Sequence, residues 1–168
     1  DAAWSRGWTG KGSLIAVADT GADVTHTDLD ANIVETKNFL DGTTNVSDNV
    51  GHGTHVAGTM VAEMNNYGSV GVAPDAKLMV AKVTDSTGYN FSLAKQAVNW
   101  AATAGAVAIN MSASSRFDSA FTTSLTKHST GMFSSNHWYY GPNGYNGYIA
   151  EAAAWGLAAG SELVMVVA

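Results

Sequence analysis

Short apolar runs recur along the chain, separated by stretches whose apolar residues fall at helical spacing. Residues 14–18 (LIAVA), 77–83 (KLMVAKV), 107–111 (VAINM) and 163–168 (LVMVVA) are the runs. They lack the in–out alternation of a half-wet strand, which predicts strands covered on both faces. Residues 52–64 and 92–104 predict helices. In the first, small residues Gly53, Ala57 and Gly58 suit close approach to neighbouring backbone. In the second, Leu93, Ala97, Trp100, Ala101 and Ala104 make one stripe. A third helix is predicted over 148–159, alanine-rich and ended by Gly160. Residues 42–51, rich in Gly, Asp, Asn and Thr, read as a surface connection. No internal repeat or linker interrupts the series. The alternation therefore predicts one α/β domain, a parallel sheet flanked by helices on both faces.

The segment between Met111 and Tyr148 breaks this pattern. It is rich in Ser, Thr, Gly and Asn, with Phe117, Phe121, Phe133, Trp138, Tyr139, Tyr140 and Tyr145 scattered through it. Connections of such length in a compact domain are commonly functional or partly disordered. Composition narrows the class of partner. The chain has 168 residues, 46% of them hydrophobic, and a net charge of −6. A globular core follows, and an acidic surface disfavours nucleic acid. No run approaches the roughly 20 apolar residues of a membrane helix, and Asp1 opens no basic-then-apolar leader, so neither a membrane span nor a signal peptide is expected. The absence of cysteine excludes disulfides, thiolate metal sites and a cysteine nucleophile.

Two strings carry chemistry. Asp19-Thr20-Gly21 follows the first apolar run directly, and Gly-His-Gly-Thr-His-Val-Ala-Gly occupies 51–58, opening the first predicted helix. In parallel α/β sheets, sites lie beyond the carboxyl ends of strands, where both Asp19 and Ser112 stand. A carboxylate and an imidazole are two of the three groups that turn a serine hydroxyl into a nucleophile. Two other chemistries use similar parts. Asp-Thr-Gly also serves aspartic proteases, but those need paired carboxylates and an all-β fold, and here the string occurs once. His52 and His55, with Asp19 or His26, suggest zinc, yet their spacing is i, i+3 and glycine stands where the zinc-hydrolase motif has glutamate.

Together the two strings closely resemble the subtilase family of serine proteases. Gly71-Val72-Ala73-Pro74 and Ile109-Asn110-Met111-Ser112 match further segments of that family in the same order. The similarity spans residues 7–112, thins over 113–147 and returns weakly to 168. The resemblance implies that Asp19 is the orienting acid and His52 the general base, with His55 a buried, hydrogen-bonded, non-catalytic histidine. It implies that Ser112, Ala113 and Ser114 pair with an extended polypeptide substrate. Ser114 replaces the family's usual glycine at the mouth of the specificity pocket. Gly88 to Phe91 match the opposite rim, with Phe91 either an apolar wall or a helix-entry staple. A structural Ca²⁺ is implied at Asp28 and Asn65, with Glu63, Tyr67 and Ser69 of the same loop. So is a secreted or extracytoplasmic location.

The family's serine and its Ala-Gly-Asn oxyanion segment lie beyond a strand like 163–168, and no Gly-Thr-Ser-type segment occurs before Ala168. The expectation is a subtilisin-like fold incomplete at its C-terminus: residues 1–168 as the N-terminal part of one peptidase domain, inactive alone and completed by the remaining C-terminal part. The alternative is a catalytically inactive subtilase-like binding or structural module.

Overall fold

The computed structural model describes residues 2–85, 88–112 and 164–167. Five parallel strands form the sheet: β1 (Leu14–Asp19), β2 (Ile33–Asn38), β3 (Lys77–Lys82), β6 (Ala108–Met111) and β7 (Val164–Val167), in spatial order β2-β3-β1-β6-β7. Two helices are described, α1 (His52–Val61) and α2 (Phe91–Thr103). A two-stranded hairpin, β4 (Thr84–Asp85) with β5 (Gly88–Tyr89), precedes α2.

Strand periodicity divides the core. Ala16 and Ala18 of β1 join Met79, Ala81, Ile109 and Met111 under Ala94, Ala97, Val98 and Ala101 of α2. The intervening Val17 joins Leu78 and Val80 under Ala57 and Val61 of α1. Each face of the sheet thus carries its own helix, as the uninterrupted apolar runs predict. Asp19, two residues after Val17, faces α1.

β2 is a strand that the apolar pattern did not reveal. Its sequence is Ile-Val-Glu-Thr-Lys-Asn, it lies at the sheet edge, and its pairing with β3 is irregular between Ile33 and Glu35. An edge strand needs only one covered side, so charged residues are tolerated and alternation is lost. The predicted helix 52–64 stops earlier, at Val61. Ala62 is extended (φ −53°, ψ 135°), and the next amide, Glu63 N–H, turns to the carbonyl of Asp28 at 2.9 Å. The carbonyl of Val61, left over at the helix end, accepts from buried Asn32 Nδ2 at 2.9 Å, which also reaches Pro74 O at 2.7 Å. α2 is capped by Asn90, whose side chain accepts from Leu93 N–H at 3.2 Å. Its buried stripe runs through Ala94 and Val98, leaving the predicted member Ala104 exposed as the C-cap.

The predicted close approach of α1 is true of one glycine. A Cβ on Gly53 would run into the carbonyl oxygen of Gly21, whereas a Cβ on Gly58 would meet nothing within 4 Å. The helix predicted over 148–159 and the segment 113–147 lie outside the described residues. Among the described residues β7 is the outermost strand, next to β6.

Candidate active site

Asp19 ends the central strand β1, which has β3 on one side and β6 on the other. His52 is the first residue of α1, the helix packed over the same face. The geometry follows from these placements: His52 Nδ1 lies 2.7 Å from Asp19 Oδ1. The same oxygen accepts the backbone N–H of Thr20 at 2.7 Å. Asp19 is 2% exposed and the histidine 51%, so a dry carboxylate holds one edge of a ring whose other edge meets solvent. Facing a carboxylate, Nδ1 carries the proton and donates it, which leaves Nε2 as the outward acceptor. Asp19 Oδ2 is buried and has no hydrogen-bond partner among the described residues.

Two polar residues outside the motifs, Asp48 and Lys82, join Thr20 in the frame around this pair. Thr20 Oγ1 accepts from the N–H of Gly53 at 2.9 Å and donates to Asp48 Oδ1 at 2.9 Å. Asp48 also accepts from the N–H groups of Val50 and Gly51 through Oδ1, and from Thr54 N–H (2.8 Å) and Thr54 Oγ1 (2.7 Å) through Oδ2. Lys82, only 7% exposed, donates from Nζ to Thr20 O at 2.7 Å and Ser47 O at 2.6 Å. An acid a few residues ahead of a helix whose N-cap is a bare glycine was the available signal for Asp48.

Of the residues expected to meet substrate, Ser112 directly follows β6, with its Oγ 2.9 Å from Asn110 Nδ2. Val17 of β1 pairs with Asn110 of β6, so Asp19 and Ser112 leave neighbouring strands at the same end of the sheet. Ala113 and Ser114 lie outside the described residues. Gly88 pairs with Asp85 in the hairpin, and Phe91 opens α2.

His55 differs from expectation. It sits on the exposed side of α1, two residues away from both Gly53 and Ala57 of the buried row and so on the far side of the helix from them. It lines an open cavity of about 740 Å³ with Asp23, His26, Asp28, Thr59 and Ser69, a cavity lined by neither Asp19 nor His52. Among the described residues no group of three His, Cys, Asp or Glu side chains is placed to hold a metal ion, which removes the zinc arrangement.

The residues expected around calcium do come together. Asp28, 3% exposed, accepts from Asn65 Nδ2 (3.2 Å) through Oδ1 and from Ser69 N–H (3.1 Å) through Oδ2. Asn65 Oδ1 takes the N–H of Tyr67 at 3.0 Å. Gly68 has φ +57°, and a Cβ there would strike the Asp28 carboxylate, so the loop closes tightly over that side chain. The carbonyls of Glu63, Tyr67 and Ser69 accept none of the described hydrogen bonds, whereas the Glu63 carboxylate turns aside to Ala31 N–H at 3.1 Å. One carboxylate, one amide and free carbonyls are a hard-oxygen set of the kind Ca²⁺ takes. The fit requires the Asn65 amide to present oxygen where Nδ2 now faces Asp28.

The sequence matches the subtilase family over residues 10–168. It is 43% identical to subtilisin Savinase of Lederbergia lenta over 120 residues, 71% of this chain and 44% of that protein. It is 48% identical to the major intracellular serine protease of Bacillus subtilis over 84 residues, 48% of this chain and 26% of that one. Among solved structures it is similar to fervidolysin from Fervidobacterium pennivorans, a keratinolytic enzyme related to subtilisin, with TM-score 0.61 and 28% identity, covering 95% of this chain and 21% of that one. It is also similar to the epidermin leader peptide processing serine protease of Staphylococcus aureus, with TM-score 0.58 and 31% identity, covering 66% and 29%. The chain therefore spans less than half the length of these relatives.

Proposed function

The chain belongs to the subtilase family, and from that premise we propose that it is the N-terminal part of the catalytic domain of a serine endopeptidase acting on polypeptides. The observation that carries the reading is the 2.7 Å contact between a dry Asp19 and the first residue of α1, His52. In this reading His52 Nε2 takes the proton of a serine hydroxyl as the serine attacks the scissile carbonyl, then returns it to the leaving amine. Asp19 fixes the ring tautomer and stabilises the imidazolium. The serine and the oxyanion donor are supplied by the remaining C-terminal part of the domain. Ser112 with Ala113 and Ser114, and Gly88 to Phe91 across from them, form the two rims against which an extended substrate pairs as an added strand.

Relatives of this chain include several whose names describe proteases, which favours the enzyme over an inactive binding module. The test is made on the full-length protein. Wild type should cleave peptides and label with a fluorophosphonate, and His52→Ala should lower kcat by about 10⁶, the scale known from subtilisin for removing one member of a triad. Retention of activity by that variant would rule out His52 as the base.

A structural Ca²⁺ held by Asp28 and Asn65 with the carbonyls of Glu63, Tyr67 and Ser69 is part of the proposal. When bound, the ion supplies charge compensation for the buried carboxylate and fixes the loop. An extracytoplasmic location is proposed on family grounds. No helix among the described residues is long and apolar enough to cross a membrane, and one relative is named as intracellular, so fractionation of the source cells decides the location.

A further inference from the structure

We propose that Asp48 is a positioning residue that holds both members of the Asp19–His52 pair through one carboxylate. The proposal rests on the reading of that pair as a protease acid and base. α1 begins without a side-chain cap: its N-cap is Gly51, in the left-handed region with φ 89°. Asp48 supplies the missing acceptor from three residues upstream, taking the N–H of Gly51 at 2.9 Å, the N–H of Thr54 at 2.8 Å and the Thr54 hydroxyl at 2.7 Å. That anchors the turn of helix carrying His52. Asp48 Oδ1 also accepts from the N–H of Val50 at 3.1 Å and from the Thr20 hydroxyl at 2.9 Å. Because that hydroxyl gives its proton to Asp48, its lone pair is turned to the N–H of Gly53 at 2.9 Å. The Thr20 backbone N–H, in turn, holds Asp19 Oδ1 at 2.7 Å. One path runs from Asp48 through the helix start to His52, and the other through Thr20 to Asp19.

Burial by itself raises the Asp48 carboxyl, but the Thr54 hydroxyl and N–H, the Gly51 N–H and the Thr20 hydroxyl outweigh it and hold the group well below the usual carboxylate range. Asp48 therefore stays ionised throughout the range in which a histidine base works. Lys82 Nζ holds the carbonyl of the adjoining Ser47 at 2.6 Å, and Thr20 stands between Asp48 and Asp19. All five hydrogen bonds to Asp48 come from donors. An amide in its place would set an –NH₂ against at least one backbone N–H, so Asp48→Asn preserves shape while removing the acceptor.

The experiment uses the full-length protein and three variants: Asp48→Asn, Thr20→Val and Thr20→Ser. The readouts are thermal unfolding, kcat and KM on a peptide substrate, the acid limb of kcat/KM, and NMR titration of the His52 ring. At temperatures where the variants are folded, Asp48→Asn and Thr20→Val should lower kcat by about 10–100-fold, because displacements near 1 Å cost that much in an aligned site. KM should change by less than about threefold, since neither residue belongs to the proposed substrate rims. The NMR titration curve of the His52 ring should differ between wild type and Asp48→Asn, because the contact with Asp19 loosens. Thr20→Ser, which restores the hydroxyl, should recover most of what Thr20→Val loses. Folded Asp48→Asn and Thr20→Val with unchanged kcat and an unmoved His52 titration would overturn the proposal and leave Asp48 a helix cap. A wild-type protein without peptidase activity would instead overturn the proposed function, while the ring titration still reads the positioning of His52.

Discussion

Gly53 is the position where packing and proposed catalysis are tied most directly, and alanine there makes a sharp perturbation. A Cβ at Gly53 would run into the Gly21 carbonyl oxygen and come within 3.1 Å of both Asp19 Cβ and Thr20 Oγ1. Ordinary contact begins at about 3.5 Å, so relief requires the first turn of α1 to lift from the end of β1 by about 1 Å. Three terms set the stability change. Alanine gains about 1 kcal/mol of helix propensity over glycine. Overpacking against backbone costs about 1–3 kcal/mol. Lifting the helix also stretches the 2.9 Å bond from Gly53 N–H to Thr20 Oγ1, worth about 1 kcal/mol. The net is a destabilisation of about 1–3 kcal/mol. Gly58→Ala, five residues further along the same helix, has open space at its Cβ and keeps the propensity gain of up to about 1 kcal/mol. Denaturant unfolding of the two variants of the full-length protein should therefore separate them by about 2–4 kcal/mol in opposite directions from wild type. The same lift draws His52 from Asp19, so kcat should fall by about 10²-fold in Gly53→Ala. If Gly53→Ala proved as stable as Gly58→Ala, the close packing of α1 on the Asp19 turn would be wrong.

Lys82→Met removes the ammonium that joins the carbonyls of Thr20 and Ser47, and leaving the buried Thr20 acceptor unsatisfied costs about 1–3 kcal/mol, which chemical denaturation should show as a loss of at least about 1 kcal/mol. Asp48 contributes a pH term: its folded carboxyl lies below the unfolded value of about 3.9, so its stabilisation is complete above that pH and is lost as pH falls toward the folded value. Asp48→Asn should accordingly flatten the decline of unfolding free energy below about pH 4, and an unchanged acid slope would count against the hydrogen-bond network. Chelation should lower the melting temperature of wild type if Ca²⁺ binds the native state, and Asp28→Ala should abolish that sensitivity. A melting temperature indifferent to EDTA and to added Ca²⁺ would remove the calcium proposal.

What was legible in the sequence shares one property: it is written in neighbouring residues. β1 and β3 announce themselves because a strand buried on both faces admits few polar positions, and Asp19 and His52 stand in contiguous strings at a strand end and a helix start. β2 escaped because an edge strand with Glu35, Thr36 and Lys37 meets no such restriction. The end of α1 was misread because the sequence remains compatible with helix through Met64. It stops at Val61 because Asp28, far upstream, takes the next amide. A histidine within this string reads as buried, but His55 stands two residues from both Gly53 and Ala57 of the buried row, which places it on the far side of the helix.

The frame of the site was invisible for the same reason. Asp48 and Lys82 each look like an ordinary turn or strand-end residue in isolation. What distinguishes them is the partner: Thr20 lies 28 residues from Asp48, and Ser47 lies 35 from Lys82. Such contacts exist only once the parallel sheet has gathered the carboxyl ends of its strands. An aspartate or lysine buried there without those partners would cost free energy instead of contributing it. The chemically reactive pair is therefore encoded locally, while the rigidity that keeps it aligned is encoded by topology. Substitutions in the frame should for that reason affect kcat and the His52 titration more than substrate affinity.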